Sequence, residues 1–210
     1  MNATITSTAH YVPEKVLTNS DLEKLVDTSD EWIKSRVGIN QRHVVSDGEA
    51  SSDMSTKVAH SLLEKRGISA ANIDVIIIGT VTPDHPTPST AAIVQNNINA
   101  ENAWAFDLSA ACSGFLYALE TGAKFIESGQ YKTIMVIGVD TMTSILDFED
   151  RETCIIFGDG AGGVILEASK SNTGILGSVL KTDGSGAESL NVLAGGSKYP
   201  ASPNTIKNRQ

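Results

Sequence analysis

Runs of consecutive apolar residues alternate along the chain with segments in which apolar residues recur every three or four positions. Residues 74–79 are an apolar, β-branched run, which is typical of a strand buried on both faces. The predicted strands cover residues 74–79, 103–107 and 133–138. The predicted helices cover residues 53–66, about 90–97 and 113–128. This alternation predicts an α/β fold with a largely parallel sheet and helices on its faces.

A further short helix is predicted from a local motif. Thr28-Ser-Asp-Glu31 has the pattern of a capping box, in which side chains at both ends of the motif bond to free backbone N–H groups. The helix is expected to run through Trp32 and Arg36 and to end at Gly38.

The glycine-rich segment 158–163 matches the GxGxxG spacing of dinucleotide-binding proteins. That motif opens a helix after a strand, whereas here Val164-Ile-Leu166 follows, which resembles a strand. The glycines are therefore predicted to form a hairpin turn between two short strands, around Ile155 and Ile165, and not a nucleotide site.

Composition and charge exclude several classes of protein. The chain has 210 residues and a formal net charge of −9, which argues against sequence-independent nucleic-acid binding. No apolar run approaches the ~20 residues of a membrane span, and the first residues lack the basic and apolar stretches of a signal peptide. Two cysteines are too few for a disulfide framework, so a cytoplasmic protein is expected. The four histidines and two cysteines have no metal-ligand spacing, so no metal site is expected.

The first candidate for chemistry is Cys112, which lies between a predicted strand and a predicted helix. At that junction the helix dipole and free N–H groups stabilise a thiolate, and the N–H of Cys112 is placed to stabilise an oxyanion. Small neighbours, among them Ala111 and Gly114, leave room for a thioester substrate. The alternative is a buried structural cysteine, and the residues alone leave both open. Cys154 lies in an apolar run and is expected in the core.

The second candidate is the basic stretch formed by Lys34, Arg36 and Arg42 beside Trp32. An aromatic ring flanked by cations suits an adenine nucleotide, by stacking and by phosphate pairing. The alternative, an amphipathic helix with Trp32 half-buried, is favoured by the residues alone.

Four motifs together resemble the β-ketoacyl-acyl carrier protein synthase III enzymes. They are DTSDEWI (27–33), GINQRH (38–43), AACSGF (110–115) and DRETCIIFGDGAG (150–162). The resemblance implies the N-terminal half of a thiolase-like, five-layer αβαβα sandwich and a homodimer. It implies residues 1–170 as that half and residues 171–210 as the start of the connection to a second half. It further implies that acyl-CoA acylates a cysteine, which then condenses with malonyl-acyl carrier protein in fatty acid synthesis.

The resemblance also assigns roles to individual residues. Cys112 is the nucleophile, Trp32 stacks on the CoA adenine, and Phe157 lines the inner pocket. The CoA site also includes Thr28, Arg36 and Arg151. No permanently bound cofactor is implied, since acyl-CoA is a substrate.

The chain departs from the family pattern at two points. The His and Asn that assist decarboxylation have no match within residues 1–210, so only the acyl-transfer half-reaction is expected. Thr87 stands where a bulky aromatic residue is frequent in the family, so a wider acyl pocket is expected. Two alternative functions stay open, a non-catalytic dimerisation module and a related cysteine-dependent condensing enzyme of secondary metabolism.

Overall fold

The computed structural model describes residues 2–171 and 173–208. The strands within them are β1 (Asn2–Tyr11), β2 (Lys15–Thr18), β3 (Gln41–Val44), β4 (Val75–Gly79), β5 (Trp104–Leu108), β6 (Thr133–Thr141) and β7 (Asp159–Ser169). The helices are α1 (Asn19–Leu22), α2 (Asp30–Val37), α3 (Ser51–Arg66), α4 (Thr90–Asn97), α5 (Gly114–Glu127), α6 (Arg151–Cys154) and α7 (Pro203–Lys207). The elements predicted for residues 53–66, 74–79, about 90–97, 103–107, 113–128 and 133–138 are thus present, with small shifts at their ends. The strand predicted around Ile155 is absent, because Ile155 ends the short helix α6.

The main sheet is mixed, with the strand order β1-β7-β6-β4-β5. Strand β4 is parallel to β5 and β6, as predicted. Strand β7 is antiparallel to both of its neighbours, β6 and β1, so the prediction of a largely parallel sheet is wrong on this side. The chain leaves β6 at Thr141 and starts β7 at Asp159, which pairs with Thr141, so β7 runs back along β6.

Helices cover both faces of this sheet. Successive side chains of a strand point to opposite faces, so Ile76 and Ile78 join the core beneath α3 and α4, while Val75 and Ile77 join the core beneath α5. All residues of β4 are buried, which confirms the prediction made from its apolar run. The parallel strands β4 and β5 therefore end on the same edge, next to the start of α5.

The glycine-rich segment is not a hairpin turn. The residues around Ile155 follow the short helix α6, which Asp150 caps by accepting from the N–H of Glu152, and Gly160 to Gly163 lie inside β7. A Cβ added at Gly163 would lie 2.9 Å from the carbonyl oxygen of Val136 on β6. Close packing against the neighbouring strand, and not a turn, therefore explains this glycine. The expectation that the segment does not open a nucleotide-binding helix is confirmed, because the strand continues to Ser169.

The short helix α2 forms where it was predicted, but its cap differs. Ser29 is the N-cap and its side chain accepts from the N–H of Trp32, so the predicted box from Thr28 to Glu31 is wrong by one residue. Gly38 ends the helix with φ +72°, a left-handed conformation that glycine adopts without a steric penalty.

After β7 the described residues have little regular structure. They contain a 3-10 turn (Gly184–Gly186) and α7. The division of the chain near residue 170 stays a prediction. In the described part of the chain, no helix is both long and apolar enough to cross a membrane.

Candidate active site

Cys112 lies in a one-turn 3-10 helix, Ala111–Ser113, between the end of β5 and the start of α5. Its side chain is exposed, so the alternative of a buried structural cysteine is wrong. Cys154 is fully buried among Leu22, Ile33 and Ile155, as predicted. Within the described residues, Cys112 is therefore the thiol that solvent and a substrate can reach.

The turn that carries Cys112 has an unusual backbone. Ala111 has φ +46°, in the left-handed region that residues other than glycine seldom adopt. Such conformations persist where the surrounding structure holds them, and they are concentrated at functional sites. In the described chain no side chain caps the start of α5, because neither Ala110 nor Ser113 makes a capping hydrogen bond. The positive end of this 14-residue helix thus lies beside the Cys112 turn.

A large open cavity of about 1420 Å³ contains Cys112. Phe115, Phe157 and Val81 are among its apolar lining residues, and Asp140 adds a carboxylate. Residues from the segment after β7 also line the cavity: Leu190, Asn191, Val192, Leu193 and Ile206. The mainly apolar walls suit an acyl chain, with Cys112 placed to react at one end of it.

A second cluster brings an aromatic ring and two cations together. The guanidinium carbon of Arg151 lies 5.0 Å from the centroid of the Trp32 ring, and that of Arg36 lies 6.0 Å from it. Arg151 also donates through Nη1 to the carbonyl oxygen of Asp27 at 3.0 Å. The hydroxyl of Thr28 is buried and has no hydrogen-bond partner among the described residues. We call Thr28, Trp32, Arg36 and Arg151 the Trp32 cluster.

The short helix α6 joins the Trp32 cluster to the cavity. Arg151 contacts Trp32, while Thr153 on the same helix and its N-cap Asp150 line the cavity that contains Cys112. Helix α6 and its N-cap therefore contact both the Trp32 cluster and the cavity.

The basic stretch predicted beside Trp32 is only partly present. Arg42 is buried and donates to Asn19 Oδ1 and to the carbonyl oxygen of Ile155, and desolvation lowers the pKa of its guanidinium. Lys34 pairs with Asp30 at 2.7 Å. Arg42 therefore stabilises the packing of α1 against the α6 region, and the cations beside the ring are Arg36 and Arg151.

Sequence analysis missed several residues of the cavity. Asp140 lies near the end of β6, and the carboxyl ends of strands are the usual place for sites in open α/β sheets, so its position in the chain was an available signal. Leu190 and Val192 come from an irregular segment and Ile206 from the short helix α7, and no local pattern marks them.

Comparison with known proteins shows which proteins this chain resembles. Residues 106–184 match the family described as 3-oxoacyl-[acyl-carrier-protein (ACP)] synthase III. The β-ketoacyl-[acyl-carrier-protein] synthase III of Chlorobaculum tepidum is 58% identical over 209 residues, which cover 98% of this chain and 64% of that protein.

Two solved structures are similar in fold. The β-ketoacyl-[acyl carrier protein] synthase III of Thermus thermophilus has a TM-score of 0.84 at 39% identity, over 88% of this chain and 57% of that one. The priming β-ketosynthase of the R1128 polyketide biosynthetic pathway has a TM-score of 0.78 at 32% identity, over 80% of this chain and 51% of that one.

The fold is thus that of the thiolase-like condensing enzymes, as the sequence motifs indicated. The chain is homologous to a part of the β-ketoacyl-[acyl-carrier-protein] synthase III enzymes. It spans 64% of the length of the relative from Chlorobaculum tepidum.

Proposed function

We propose that this chain carries out the acyl-transfer half of a β-ketoacyl-acyl carrier protein synthase III reaction in the cytoplasm, with Cys112 as the nucleophile. The Sγ of Cys112 attacks the carbonyl carbon of an acyl-CoA thioester. The new bond to Sγ forms as the bond from that carbon to the sulfur of CoA breaks. CoA leaves as a thiolate and takes up the proton released by Cys112, so the products are an acyl-enzyme and free CoA.

One observation carries this proposal. Cys112 is exposed in a cavity with mainly apolar walls, and its turn lies at the start of α5, with no side-chain cap there within the described residues. The dipole and the N–H groups of that helix end stabilise the oxyanion that forms during attack. Phe157 lines the same cavity and would contact the acyl chain.

The Trp32 cluster supports CoA as the acyl donor. The exposed part of Trp32 offers a surface for the adenine ring, and Arg36 and Arg151 provide the positive charge that phosphates require. We assign Thr28 to the same site, where its hydroxyl is buried and unpartnered among the described residues and would contact CoA only after a local movement that exposes it. CoA is a substrate in this scheme, and no permanently bound cofactor takes part.

The second half of the family reaction needs more than these groups. Malonyl-acyl carrier protein loses CO₂, and its C2 carbanion attacks the acyl carbonyl, which releases Cys112 and yields 3-oxoacyl-acyl carrier protein. The resemblance assigns a His and an Asn to this step, and neither motif has a match within residues 1–210. We therefore assign acyl transfer, and not decarboxylation, to these residues.

We infer a second copy of the chain as a partner. Strand β5 is at the edge of the sheet, with β4 as its neighbour in the described structure. Trp104 on β5 stacks on Phe106 at 5.4 Å and is 42% exposed. An open strand edge with an exposed aromatic residue favours pairing with another strand. Sedimentation velocity is expected to give a dimer, and a monomer at micromolar concentration would contradict the inference.

Isotope exchange tests acyl transfer without the second step. The chain is incubated with acetyl-CoA and isotopically labelled free CoA, and label in acetyl-CoA is measured by mass spectrometry. Exchange is expected for the wild type and for Cys154→Ser, and it is expected to be lost in Cys112→Ser. No exchange by a folded wild-type chain, or exchange that persists in Cys112→Ser, would contradict the proposal.

A second candidate function is priming of a secondary metabolite. It is favoured by the similarity to the priming β-ketosynthase of a polyketide pathway. Both candidates share the acyl-enzyme and differ in the extender. Preference for malonyl-CoA over malonyl-acyl carrier protein, in a protein that completes the condensation, would favour this alternative.

A further inference from the structure

The residue Val81 lies between two cavities. It lines the cavity that contains Cys112, and it also lines a second cavity of about 510 Å³. Among the described residues, Val81 alone is common to both linings. The second cavity is bounded on its other sides by residues of the loop after β4 and by the end of β5, including His85 and Phe106.

The carboxylate of Asp140 fixes the backbone around Val81. Its Oδ1 accepts from the N–H of Val81 at 2.8 Å and from the N–H of Thr82 at 3.3 Å. The same oxygen accepts from the hydroxyl of Thr80 at 3.1 Å and from that of Thr82 at 3.0 Å. One oxygen near the end of β6 thus holds three consecutive residues that follow β4.

Further hydrogen bonds that involve buried hydroxyl groups hold segment 80–82 in place. The hydroxyl of Thr82 also accepts from the N–H of Thr141 at 2.8 Å, and the carbonyl oxygen of Thr82 accepts from the hydroxyl of Ser51 at 2.7 Å. Thr82 and Ser51 are both buried. The segment 80–82 is therefore attached to β6 and α3 and has little freedom to move away from the cavity.

We propose that Asp140 is a positioning residue that limits the size of the acyl group accepted at Cys112, by holding Val81 as the wall between the two cavities. This proposal rests on the proposed acylation of Cys112. Removal of the carboxylate leaves the N–H of Val81 without this acceptor and loosens the backbone at Val81, and the Cys112 cavity gains space from the second cavity. Longer apolar groups then react with Cys112 faster relative to small ones.

Asp74 provides a matched control on the same two strands. It lies just before β4, and its Oδ2 accepts from the N–H of Lys132 at 2.7 Å and of Thr133 at 2.9 Å, at the start of β6. Asp74 and Asp140 thus link β4 to β6 at opposite ends of β4, which are roughly 16 Å apart at the usual rise of a strand. Loss of Asp74 removes two hydrogen bonds from backbone N–H groups, as loss of Asp140 does, but it removes none from hydroxyl groups and leaves Val81 in place.

The test compares two alkylating reagents of the same chemistry and different size. Iodoacetamide and N-hexyl-iodoacetamide both attach to Cys112, and the ratio of their rate constants cancels the thiolate fraction and reports the space around the sulfur. Asp140→Ala is expected to raise the rate constant for N-hexyl-iodoacetamide, divided by that for iodoacetamide, about threefold to tenfold. Changes in the space of an apolar pocket alter the preference between large and small reagents by about this much. Asp74→Ala is expected to leave the ratio within about twofold of wild type, while it also lowers the thermal stability.

Two further variants keep the proposal falsifiable. Thr80→Val removes one donor to Asp140, keeps the side-chain volume, and is expected to raise the ratio in the same direction if Asp140→Ala does not fold. In a Val81→Ala background, Asp140→Ala is expected to add little, because both changes remove the same wall. An unchanged ratio in Asp140→Ala and Thr80→Val, or an equal change in Asp74→Ala, would overturn the proposal.

The same variants are then tested with acetyl-CoA and hexanoyl-CoA by intact mass. Asp140→Ala is expected to raise hexanoyl loading relative to acetyl loading. If no variant forms an acyl-enzyme but the alkylation ratio still changes as expected, the acyltransferase function fails and the positioning role stands. If acylation occurs and neither ratio changes, the positioning role fails alone.

Discussion

Gly79, at the end of β4, packs directly against Gly114, the first residue of α5. A Cβ placed on Gly79 would lie 2.8 Å from the carbonyl carbon of Gly114 and 3.0 Å from its oxygen. Both of those atoms belong to the backbone, so neither can move without moving the start of the helix. The absence of a side chain at Gly79 therefore determines how close the Cys112 turn comes to the sheet.

Gly79→Ala is expected to displace the start of α5 and with it Cys112. Overpacking of this kind costs about 1–3 kcal/mol of unfolding free energy. The rate of Cys112 acylation is expected to fall by more than the fraction of unfolded protein explains. Chemical denaturation and intact-mass kinetics measure the two effects. Gly177→Ala is the control, because a Cβ there meets no atom within 4 Å. Equal acylation rates in the two variants would contradict this role of Gly79.

Trp32→Ala is expected to weaken acylation by acyl-CoA and to spare acylation by the N-acetylcysteamine thioester of the same acyl group. The reason is that the small thioester lacks the adenine ring that Trp32 is proposed to stack on. Loss of one base–aromatic stack costs about 1–3 kcal/mol, so the apparent affinity for acyl-CoA is expected to fall roughly tenfold.

Acylation rates measured with acyl-CoA and with the N-acetylcysteamine thioester distinguish a loss of CoA binding from a general loss of activity. Arg36→Gln is expected to affect acyl-CoA in the same direction as Trp32→Ala, because its guanidinium lies 6.0 Å from the same ring. An equal loss with both donors would mean that Trp32 supports the fold and not CoA binding.

Native alkylation is expected to modify Cys112 and to leave Cys154 unmodified. Burial, and then the nearby charge of Asp150, raise the pKa of the Cys154 thiol, and its side chain is fully buried. Iodoacetamide at pH 8 is expected to add one group to the folded chain and two groups to the chain in guanidinium. The folded Cys112→Ser variant is expected to gain no group from iodoacetamide. Modification of Cys154 in the native protein at a similar rate would contradict the packing around α6.

The ion pair between Glu49 and Lys57 predicts that the fold loses stability in acid. Desolvation raises the pKa of Glu49, but hydrogen bonds from Lys57 and Tyr11 outweigh it, so the net pKa is lowered from 4.5. A carboxyl group with a lowered folded pKa stabilises the fold above its ordinary pKa, and this contribution is lost as pH falls through the lowered value.

Glu49→Gln is therefore expected to lower the Tm at pH 7 and to have little effect at pH 3. The pair is partly exposed, so the difference in unfolding free energy is about 1 kcal/mol or less, a shift of roughly 2–4 °C at most. Glu14→Gln, at an exposed position, is the control. A Tm difference of the same size at pH 3 and pH 7 would contradict the role of the charge.

The local sequence pattern was sufficient to predict some helices and strands and insufficient for others. Helix α4 has the predicted bounds, because Ser89 caps it and its apolar residues have a simple helical spacing. The second part of strand β7, around Ile165, was predicted, but its first part was predicted as a turn because its glycines resemble one in sequence, whereas Gly163 is required by close contact with β6. That contact joins residues distant in the chain, and no local window contains it.

In the candidate site, too, residues marked by local sequence were predicted, and residues placed by distant contacts were not. Cys112 was found because the strand, the small-residue turn and the helix are adjacent in sequence. Arg42 was grouped with the surface cations because its burial depends on Asn19 and Ile155, which lie far from it in the chain. Asp140 was missed for a similar reason, since its partners follow a different strand.

The most direct test of the central claim is the intact mass of the chain after incubation with acetyl-CoA, followed by peptide mapping of any adduct. The account predicts one acetyl group on Cys112, removed by neutral hydroxylamine as expected of a thioester, and none on Cys112→Ala. Near-UV circular dichroism establishes that both proteins are folded. A folded wild-type chain that gains no acetyl group, or an equal gain by Cys112→Ala, would contradict the assignment of Cys112 as the nucleophile.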